Sequence, residues 1–405
     1  MNNMLDKICM LDNCVQEYSW GSREFIPNLL GQPSPFPKPM AELWMGTHPK
    51  GPSKVFLNGN WQLLEDVIRQ APFSALGKKA VYKFGSNLPF LFKILAANKP
   101  LSIQVHPNLK QAKTGFIREN RQKIPPKAEN RNYNDTNHKP EILCALTPFD
   151  ALKGFRTPHQ ILKYLNRISP LRHETIFDPL KEALVKNDLN FFFTTLMTSS
   201  PELKSQMVGQ AVLRAKNIFS NDPAFSWILK LNQFYNGDIG VLAPIYLELI
   251  HLRPGESIYI PPGQLHAYLD GNAIELMANS DNVIRGGLTS KNIDIKELLD
   301  IVDFRIKPLE ILTAIHGHTL ERTYLTPAAE FCLSGITLEK EQSFISSQHR
   351  SVEIMLFSNG NGKIKDMETQ ESLKVKKGQS IIIPASLLQY QLKGELTLFK
   401  ASIPI

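Results

Sequence analysis

The stretch HLRPGESIYIPPGQLHAYLDGNAIELMANSDNVIRGGLTSK, residues 251–291, carries the clearest structural pattern of the chain. It opens with the turn signal Arg253-Pro254-Gly255, which the apolar run 258–260 follows. A Pro-Pro-Gly corner then leads into a strand with His266 at its start. Tyr268 shares the face of His266, because side chains alternate along a strand. We expect a turn at 270–272, a further strand over 273–277, and a polar loop that carries Asp281, Arg285 and Lys291.

A histidine behind such a corner, between short strands, is well placed to bind a metal inside a small antiparallel barrel. Burial at a strand end is the alternative for a single histidine. The stretch Leu101–Pro107 (LSIQVHP) bears on that choice, because Ser102, Gln104 and His106 alternate with apolar residues and therefore share one face. That face could simply be exposed to water. Gln104 and His106, two residues apart on one strand, could also share a metal ion.

A charged cluster, His138-Lys139-Pro140-Glu141, runs directly into the apolar strand that follows it. A glutamate at the head of a buried strand is costly unless it is paired or bound to a metal. Lys139 and Glu141 lie two residues apart, so both can face the same side. A solvent-exposed ion pair is the alternative interpretation.

The first 60 residues are broken by Pro and Gly and contain YSWGS and AELWMGTH, which we interpret as strands and loops at one end of a β-structure. Trp20 could form a pocket wall, although tryptophan more often packs in a core. Glu42 lies between apolar neighbours, which is unusual. The spacing of 61–70 (WQLLEDVIRQ) predicts a surface helix.

Between Gly154 and Gly240 the pattern becomes helical. Four helix starts pair a capping residue with proline, whose missing N–H costs nothing in the first turn: Thr157-Pro158, Asp178-Pro179, Ser200-Pro201 and Asp222-Pro223. After about residue 320 the chain turns strongly β. There the spacing Gly255-x5-Pro-x-Gly-x2-His266 recurs as Gly378-x5-Pro-x-Ser-x2-Gln389. We therefore predict two related β-units, of which only the first keeps the histidine.

Composition narrows the function classes. The chain has 405 residues, a hydrophobic fraction of 42% and a net charge of +8, which suits an anionic small molecule at least as well as nucleic acid. Neither a nucleic-acid-binding motif nor an apolar run long enough to span a membrane is visible. Four scattered cysteines and the absence of a secretory signal predict a cytoplasmic protein. No exposed seam marks a partner surface, so we expect a monomer.

The spacing around His266 resembles the second motif of the cupins, except that Asp270 stands where asparagine is usual. Cupins are small β-barrels that present metal ligands inward. Taken with SIQVHP, HKPE, SDNVIRGGLTSKNID, YSWGS and AELWMGTHP, the sequence resembles the type I mannose-6-phosphate isomerase family (phosphomannose isomerases), which are zinc enzymes of cupin fold. The resemblance implies interconversion of mannose 6-phosphate and fructose 6-phosphate through an enediol. A small sugar phosphate is then the expected binding partner.

Carried over motif by motif, the resemblance implies one zinc ion bound by Gln104, His106, Glu141 and His266. This first shell needs no thiolate and leaves room for water or substrate, as catalytic zinc sites do. The resemblance also implies that Arg285 stabilises the enediolate and that Lys139 and Lys291 are active-site lysines. The pocket positions that it implies are Trp20, Glu42, Ser102 and Tyr268. Either lysine could meet the substrate phosphate. The general base stays open among His138, Lys139 and Asp281.

The predicted fold is mainly β with a helical insert, namely two cupin-like (jelly-roll) β-barrels plus an α-helical domain. The predicted boundaries are 1–153 and 241–318 for the two parts of the catalytic barrel, 154–240 for the insert and 319–405 for a degenerate second barrel. A non-catalytic cupin that binds sugar phosphates is one alternative. A metal-dependent oxygenase is another, but it would favour a His-x-His pair over the Gln-x-His of SIQVHP. Without a GxxxxGK[ST] loop, a fused guanylyltransferase is not expected.

Overall fold

The computed structural model describes residues 4–126, 128–169, 176–217, 222–316 and 320–404. Over these ranges the chain is mostly β. Its strands are β1 (Cys9–Asp12), β2 (Cys14–Gln16), β3 (Glu42–Met45), β4 (Lys54–Leu57), β5 (Asn60–Leu63), β6 (Phe90–Ala97), β7 (Ile103–Val105), β8 (Glu141–Ala145), β9 (Phe149–Phe155), β10 (Leu247–Leu252), β11 (Ser257–Ile260), β12 (His266–Ala278), β13 (Ile284–Gly287), β14 (Ile315–His316), β15 (Glu321–Tyr324), β16 (Cys332–Leu338), β17 (Ser343–Ile345), β18 (Glu353–Asp366), β19 (Ser372–Lys376), β20 (Ser380–Ile383) and β21 (Tyr390–Ser402).

The helices are α1 (Phe25–Leu30), α2 (Leu64–Gln70), α3 (Pro72–Leu76), α4 (Lys78–Phe84), α5 (Leu109–Arg121), α6 (Pro158–Ile168), α7 (Asp178–Val185), α8 (Leu189–Thr198), α9 (Pro201–Asn217), α10 (Pro223–Phe234), α11 (Ala243–Tyr246) and α12 (Ile295–Ile301). A search of the described ranges finds no helix with the length and apolarity to cross a bilayer.

The strands form two sheets. The ten-stranded sheet holds β2, β3 and β6–β13, and its centre is β12, which pairs with β6, β7, β8 and β9. The eleven-stranded sheet holds β14–β21 together with β1, β4 and β5. The N-terminal strand β1 enters it beside β20, with Cys9 opposite Ile382. Three strands from the start of the chain thus complete the sheet formed by its end.

The predicted helical segment consists of α6–α10. Thr157 caps α6 in a capping box, and Asp222 caps α10 by accepting from the backbone N–H of Ala224. Asp178 differs, because it is the first residue inside α7 and Phe177 precedes it without a side-chain cap. These helices bury Phe193 and other apolar side chains against one face of β9 and β12, so they cover the outside of the ten-stranded sheet.

The turn predicted at 270–272 is wrong. The structure keeps one strand, β12, through this segment, with a register irregularity between Tyr268 and Asp270. Gly271 has φ +119°, and a Cβ there would lie 2.6 Å from the carbonyl oxygen of Pro148. The glycine therefore permits a bulge within the strand, whereas a turn would end it.

The sequence repeat has a counterpart in strand register. Ile260, which precedes Pro261, lies opposite Glu141, and Ile383, which precedes Pro384, lies opposite Glu353. Gly255 and Gly378 both adopt positive φ, +87° and +83°, at the preceding turn. Glu353 is therefore the counterpart of Glu141 in the second unit.

The second unit carries its own buried charges next to Glu353. Lys400 is 6% exposed, and its Nζ lies 3.2 Å from Glu353 Oε1 and 2.8 Å from Glu321 Oε1. Glu353 lies opposite Ser402, as Glu141 lies opposite Met277. Lys400 lies two residues before Ser402, and Glu275 lies two residues before Met277. The second unit therefore has a cation at the position where the first has an acid.

Candidate metal centre

Three predicted ligands meet where three strands begin or end. His106 follows β7 directly, Glu141 is the first residue of β8, and His266 is the first residue of β12. All three are buried, with exposed fractions of 1–2%. Their donor atoms lie within 4.8 Å of one another, which is close enough to share one ion. The strand ends predicted from the sequence therefore do converge.

The carboxylate of Glu141 lies between the two imidazoles. Its Oε1 is 3.2 Å from His106 Nε2, and its Oε2 is 3.5 Å from His266 Nε2. Gln104 lies next to this group, since it is the register partner of His266 on one side and of Arg285 on the other. The role of the Gln104 amide as a fourth ligand, with oxygen as donor, stays a prediction.

Hydrogen bonds at the other ring nitrogens set the tautomer that each imidazole adopts in its neutral form. His106 Nδ1 donates to the backbone carbonyl of Asn282 at 2.8 Å, and His266 Nδ1 donates to that of Gln264 at 3.0 Å. Each Nε2 therefore points a lone pair toward Glu141. His106 Nε2 is buried and has no hydrogen-bond partner within the described chain. Converging lone pairs without a proton between them fit a divalent cation, and this N/O set suits zinc.

The electrostatics keep these groups in their ligand forms. Burial alone would raise the pKa of Glu141, but Lys139 and His106 outweigh it and hold that pKa well below its usual range. Lys139 Nζ lies 3.1 Å from Glu141 Oε1. Burial, and secondarily the charge of Lys139, lowers the pKa of His106 to about 4. An ionised carboxylate and a neutral imidazole are the states that bind metals.

Tyr268 and Glu42 both lie close to this centre. Tyr268 is 5% exposed and donates its hydroxyl to Glu141 Oε2 at 3.1 Å, as the shared strand face predicts. Glu42, on β3, accepts from the indole N–H of Trp44 at 2.8 Å. Trp20 packs against the apolar cluster that contains Tyr268. These three residues therefore line the same part of the fold.

Sequence reasoning missed the buried pair Lys93 and Glu275. Lys93 Nζ lies 2.9 Å from Glu275 Oε2 and 3.7 Å from Glu42 Oε1. Burial alone would lower the pKa of Lys93, but Glu275 and Glu42 reverse the effect and raise it. The available signal was a single charge in each of two apolar runs, FLFKILAA and AIELMA.

The three candidate bases have different environments. Lys139 pairs with Glu141, as above. His138 Nε2 contacts Glu330 Oε1 at 2.8 Å, which ties it to the C-terminal unit. Asp281 contacts His48 Nε2 at 3.2 Å and Lys50 Nζ at 3.0 Å. Burial alone would raise the pKa of Asp281, but His48 and Lys50 hold it below its usual range.

Asn282 holds the loop that leads to His138. Its side-chain amide donates to the backbone carbonyls of Asp135 and Asn137, each at 2.9 Å, and its carbonyl Oδ1 accepts from the backbone N–H of Asn134 at 2.7 Å. Ser280 donates to Asp135 Oδ1 at 2.9 Å. Since the backbone of Asn282 also orients His106, one residue links a metal ligand to the loop before Lys139.

Arg285 lines a cleft of about 290 Å³ that also includes Arg118, Arg131 and Lys296. Arg118 pairs with Glu297. The guanidinium of Arg285 makes no hydrogen bond or ion pair with any residue that the structure describes, and burial lowers its pKa. Ser102 is half-buried just before β7, whereas the side chain of Lys291 is exposed. Arg285 is thus a half-buried cation that is available to an anion.

The family models and relatives that this chain matches are described as phosphomannose or mannose-6-phosphate isomerases. Residues 8–158 match the family model described as phosphomannose isomerase type I, catalytic domain, and residues 321–403 match the one described as mannose-6-phosphate isomerase, cupin domain. The mannose-6-phosphate isomerase of Escherichia coli K12 is 38% identical over 95% of this chain and 96% of its own. Mannose-6-phosphate isomerase 1 of Arabidopsis thaliana is 32% identical over 96% and 92%.

Solved structures agree as well. A zinc-bound mannose 6-phosphate isomerase superposes with a TM-score of 0.90 at 35% identity, covering 98% of this chain and 100% of that one. The Salmonella typhimurium enzyme bound to fructose 6-phosphate and zinc gives the same values. Relatives this similar, over nearly the full length of both chains, show that the chain belongs to the type I phosphomannose isomerase family.

Proposed function

We propose that this protein interconverts mannose 6-phosphate and fructose 6-phosphate at the centre built around Glu141, with one zinc ion bound by Gln104, His106, Glu141 and His266. The observation that carries the proposal is the position of Glu141 between two imidazoles whose Nε2 lone pairs face it. Similarity to zinc-bound isomerases supports the choice of metal and reaction.

The reaction moves a proton between C1 and C2 of the open-chain sugar through an enediol. When bound, zinc supplies Lewis-acid polarisation of the substrate oxygens. Arg285 stabilises the negative charge that develops on the enediolate, because its guanidinium is half-buried and has no carboxylate partner within the described chain. Lys139 holds Glu141 in its ionised form through the 3.1 Å contact.

In this proposal the sugar phosphate lies between the guanidinium of Arg285 and the metal centre. Trp20, Glu42, Ser102 and Tyr268 contact it there, and Lys291, whose side chain is exposed, meets the phosphate from the rim. For the base we retain His138, Lys139 and Asp281. Asp281 is the one of the three that carries a carboxylate, and it contacts His48 and Lys50, whereas His138 bonds to Glu330.

We also propose the finer architecture, two cupin-like jelly-roll barrels with boundaries at 153/154, 240/241 and 318/319. The position of α6–α10 within 154–240 and the repeated register of Glu141 and Glu353 support it. The four cysteines are free, which supports a reducing cytoplasm. We further propose a monomer without a nucleic-acid or membrane partner, and the presence of all proposed ligands in one chain means that the metal centre needs no second copy.

A coupled assay for fructose 6-phosphate formation from mannose 6-phosphate tests the proposal. We expect activity that a chelator removes and zinc restores, and that is lost in His266→Ala and Arg285→Ala. A folded, zinc-loaded protein that shows no turnover would overturn the proposal. Direct titration with mannose 6-phosphate would then show whether the site only binds sugar phosphates.

A further inference from the structure

A cavity of about 470 Å³ lies beside the Pro-Pro-Gly corner that precedes His266. Pro261 and Gln264 of that corner line it, together with Lys153 on β9, Tyr259 on β11 and the segment 307–312. The lining includes neither Arg285 nor any proposed metal ligand. It is therefore distinct from the cleft assigned to the substrate.

Lys153 is 8% exposed, and within the described chain its ammonium group makes no hydrogen bond or ion pair. Glu310 attracts it and Lys307 repels it, but neither pairs with it. Lys307 is itself held by Asp303, at 2.8 Å. Lys153 lines the cavity, so its three N–H donors can be reached from solvent. This cation is therefore available to an anion that enters the cavity.

Gln264 supplies an acceptor beside this donor. Its Oε1 is buried and has no hydrogen-bond partner among the described residues. Its side chain lies over Gly154, where a Cβ would come within 2.8 Å of Gln264 Nε2. Gly154 has φ +66°, so both its conformation and its missing side chain admit the glutamine. An unsatisfied acceptor therefore belongs to a residue that lines the same cavity as Lys153.

We propose that this cavity is a second binding site, for a small anion that also carries a hydroxyl group, such as a hydroxy acid or a polyol phosphate. The carboxylate or phosphate accepts from Lys153 Nζ, and the hydroxyl donates to Gln264 Oε1 once the Gln264 side chain turns this buried atom toward the cavity. A charge-assisted hydrogen bond supplies most of the affinity, and the hydroxyl supplies selectivity over simple anions.

The site adjoins the groups that hold a metal ligand. The backbone carbonyl of Gln264 accepts from His266 Nδ1, and Lys153 is the register partner of His266 across β9 and β12. An occupant of the cavity therefore contacts the second layer of residues around the proposed zinc ion without reaching the ion.

Titration calorimetry on the zinc-loaded, full-length protein tests this. The probes are lactate, glycerol 3-phosphate and, as an anion without a hydroxyl, acetate. Every variant keeps the substrate cleft unchanged, so a difference between variants reports on the cavity beside Lys153. We expect Lys153→Met to weaken binding of lactate and glycerol 3-phosphate by about 10–100-fold, because hydrogen bonds to charged groups contribute about 1.5–3 kcal/mol. Gln264→Leu should weaken lactate and leave acetate unchanged.

The matched control is Lys307→Met, which removes a cation of the same cavity that already has Asp303 as partner. It should leave binding unchanged. Equal affinity of the wild-type and Lys153→Met proteins, or the absence of saturable binding in the wild-type protein, would overturn the proposal. Should Lys153→Met fail to fold, the comparison of lactate with acetate in Gln264→Leu decides alone.

Discussion

The backbone carbonyl of Asn282 accepts a hydrogen bond from Nδ1 of His106 at 2.8 Å, and this contact determines which ring nitrogen of His106 faces Glu141. The side chain of Asn282 keeps that carbonyl in place, because it is anchored to the loop 134–137. Asn282 is thus a positioning residue for the metal centre, although it does not itself reach Glu141.

We expect Asn282→Ala to weaken zinc affinity by about 10–100-fold, the usual effect of removing the support of a metal ligand. Competition with a chromogenic chelator measures it. Asn272→Ala is the control, because Asn272 lies on β12 but bonds to Thr147, away from the ligands. Unchanged zinc affinity in a folded Asn282→Ala protein would contradict the positioning role.

Arg285→Ala should lower kcat by about 10²–10³-fold, the range found when a single oxyanion-stabilising group is removed. Zinc content should stay the same, because Arg285 is not a proposed ligand. Arg285→Lys should recover part of the rate, since it keeps the charge but loses the planar fork. Steady-state kinetics with metal analysis measures both. A rise in KM at unchanged kcat would instead assign Arg285 to ground-state binding.

Asp281 should stabilise the fold in a pH-dependent manner. Its pKa is lower in the folded state than its usual 3.8, so the ionised form contributes stability above that pH, and the contribution is lost as pH falls through the folded pKa. We expect Asp281→Asn to lose about 1.5–3 kcal/mol at pH 7, with a smaller loss below about pH 4. Urea unfolding at both pH values measures this, with exposed Asp6→Asn as control. A loss that is equal at the two pH values would refute the assignment.

Lys93→Met should lower the free energy of unfolding by about 3–5 kcal/mol, because it leaves the buried carboxylates of Glu275 and Glu42 without their cation. Adding Glu275→Gln should restore part of the loss, since it discharges one of them. Denaturant unfolding of both variants tests this, with Lys54→Met as control, because the side chain of Lys54 on β4 is exposed. The assignment fails if the double variant is no more stable than Lys93→Met.

The parts of the site that sequence predicts are those that local patterns encode. Alternation in LSIQVHP places Gln104 and His106, and the Pro-Pro-Gly corner places His266 at a strand start. Lys93 and Glu275 could not be paired in this way, because their contact spans 182 positions and depends on the register of β6 and β12. Only the folded sheet brings these two charges together.

Local signals can also compete. The helix predicted over 61–70 begins at Leu64, because Asn60–Leu63 forms β5. Asn58 and Gly59, with φ 52° and 80°, make the two-residue hairpin turn that pairs β5 with β4. The Asn-Gly pair that signals a hairpin was present in the sequence, and it outweighs the helical spacing up to Leu63. The pairing of β1 with β20 has no such local signal.

Lys400 gives the repeated register of Glu141 and Glu353 a thermodynamic consequence. In the half that contains Glu141, the convergent lone pairs depend on an ion taken from solution, so that half is linked to the free zinc concentration. In the half that contains Glu353, the cation is the ammonium group of Lys400, which is part of the chain. Its presence therefore does not depend on a concentration in solution. Chelation should therefore abolish catalysis and loosen the strands around His266 while amide hydrogen exchange around Glu353 stays unchanged. One unit depends on its environment for a cation, and the other carries its cation in its own chain.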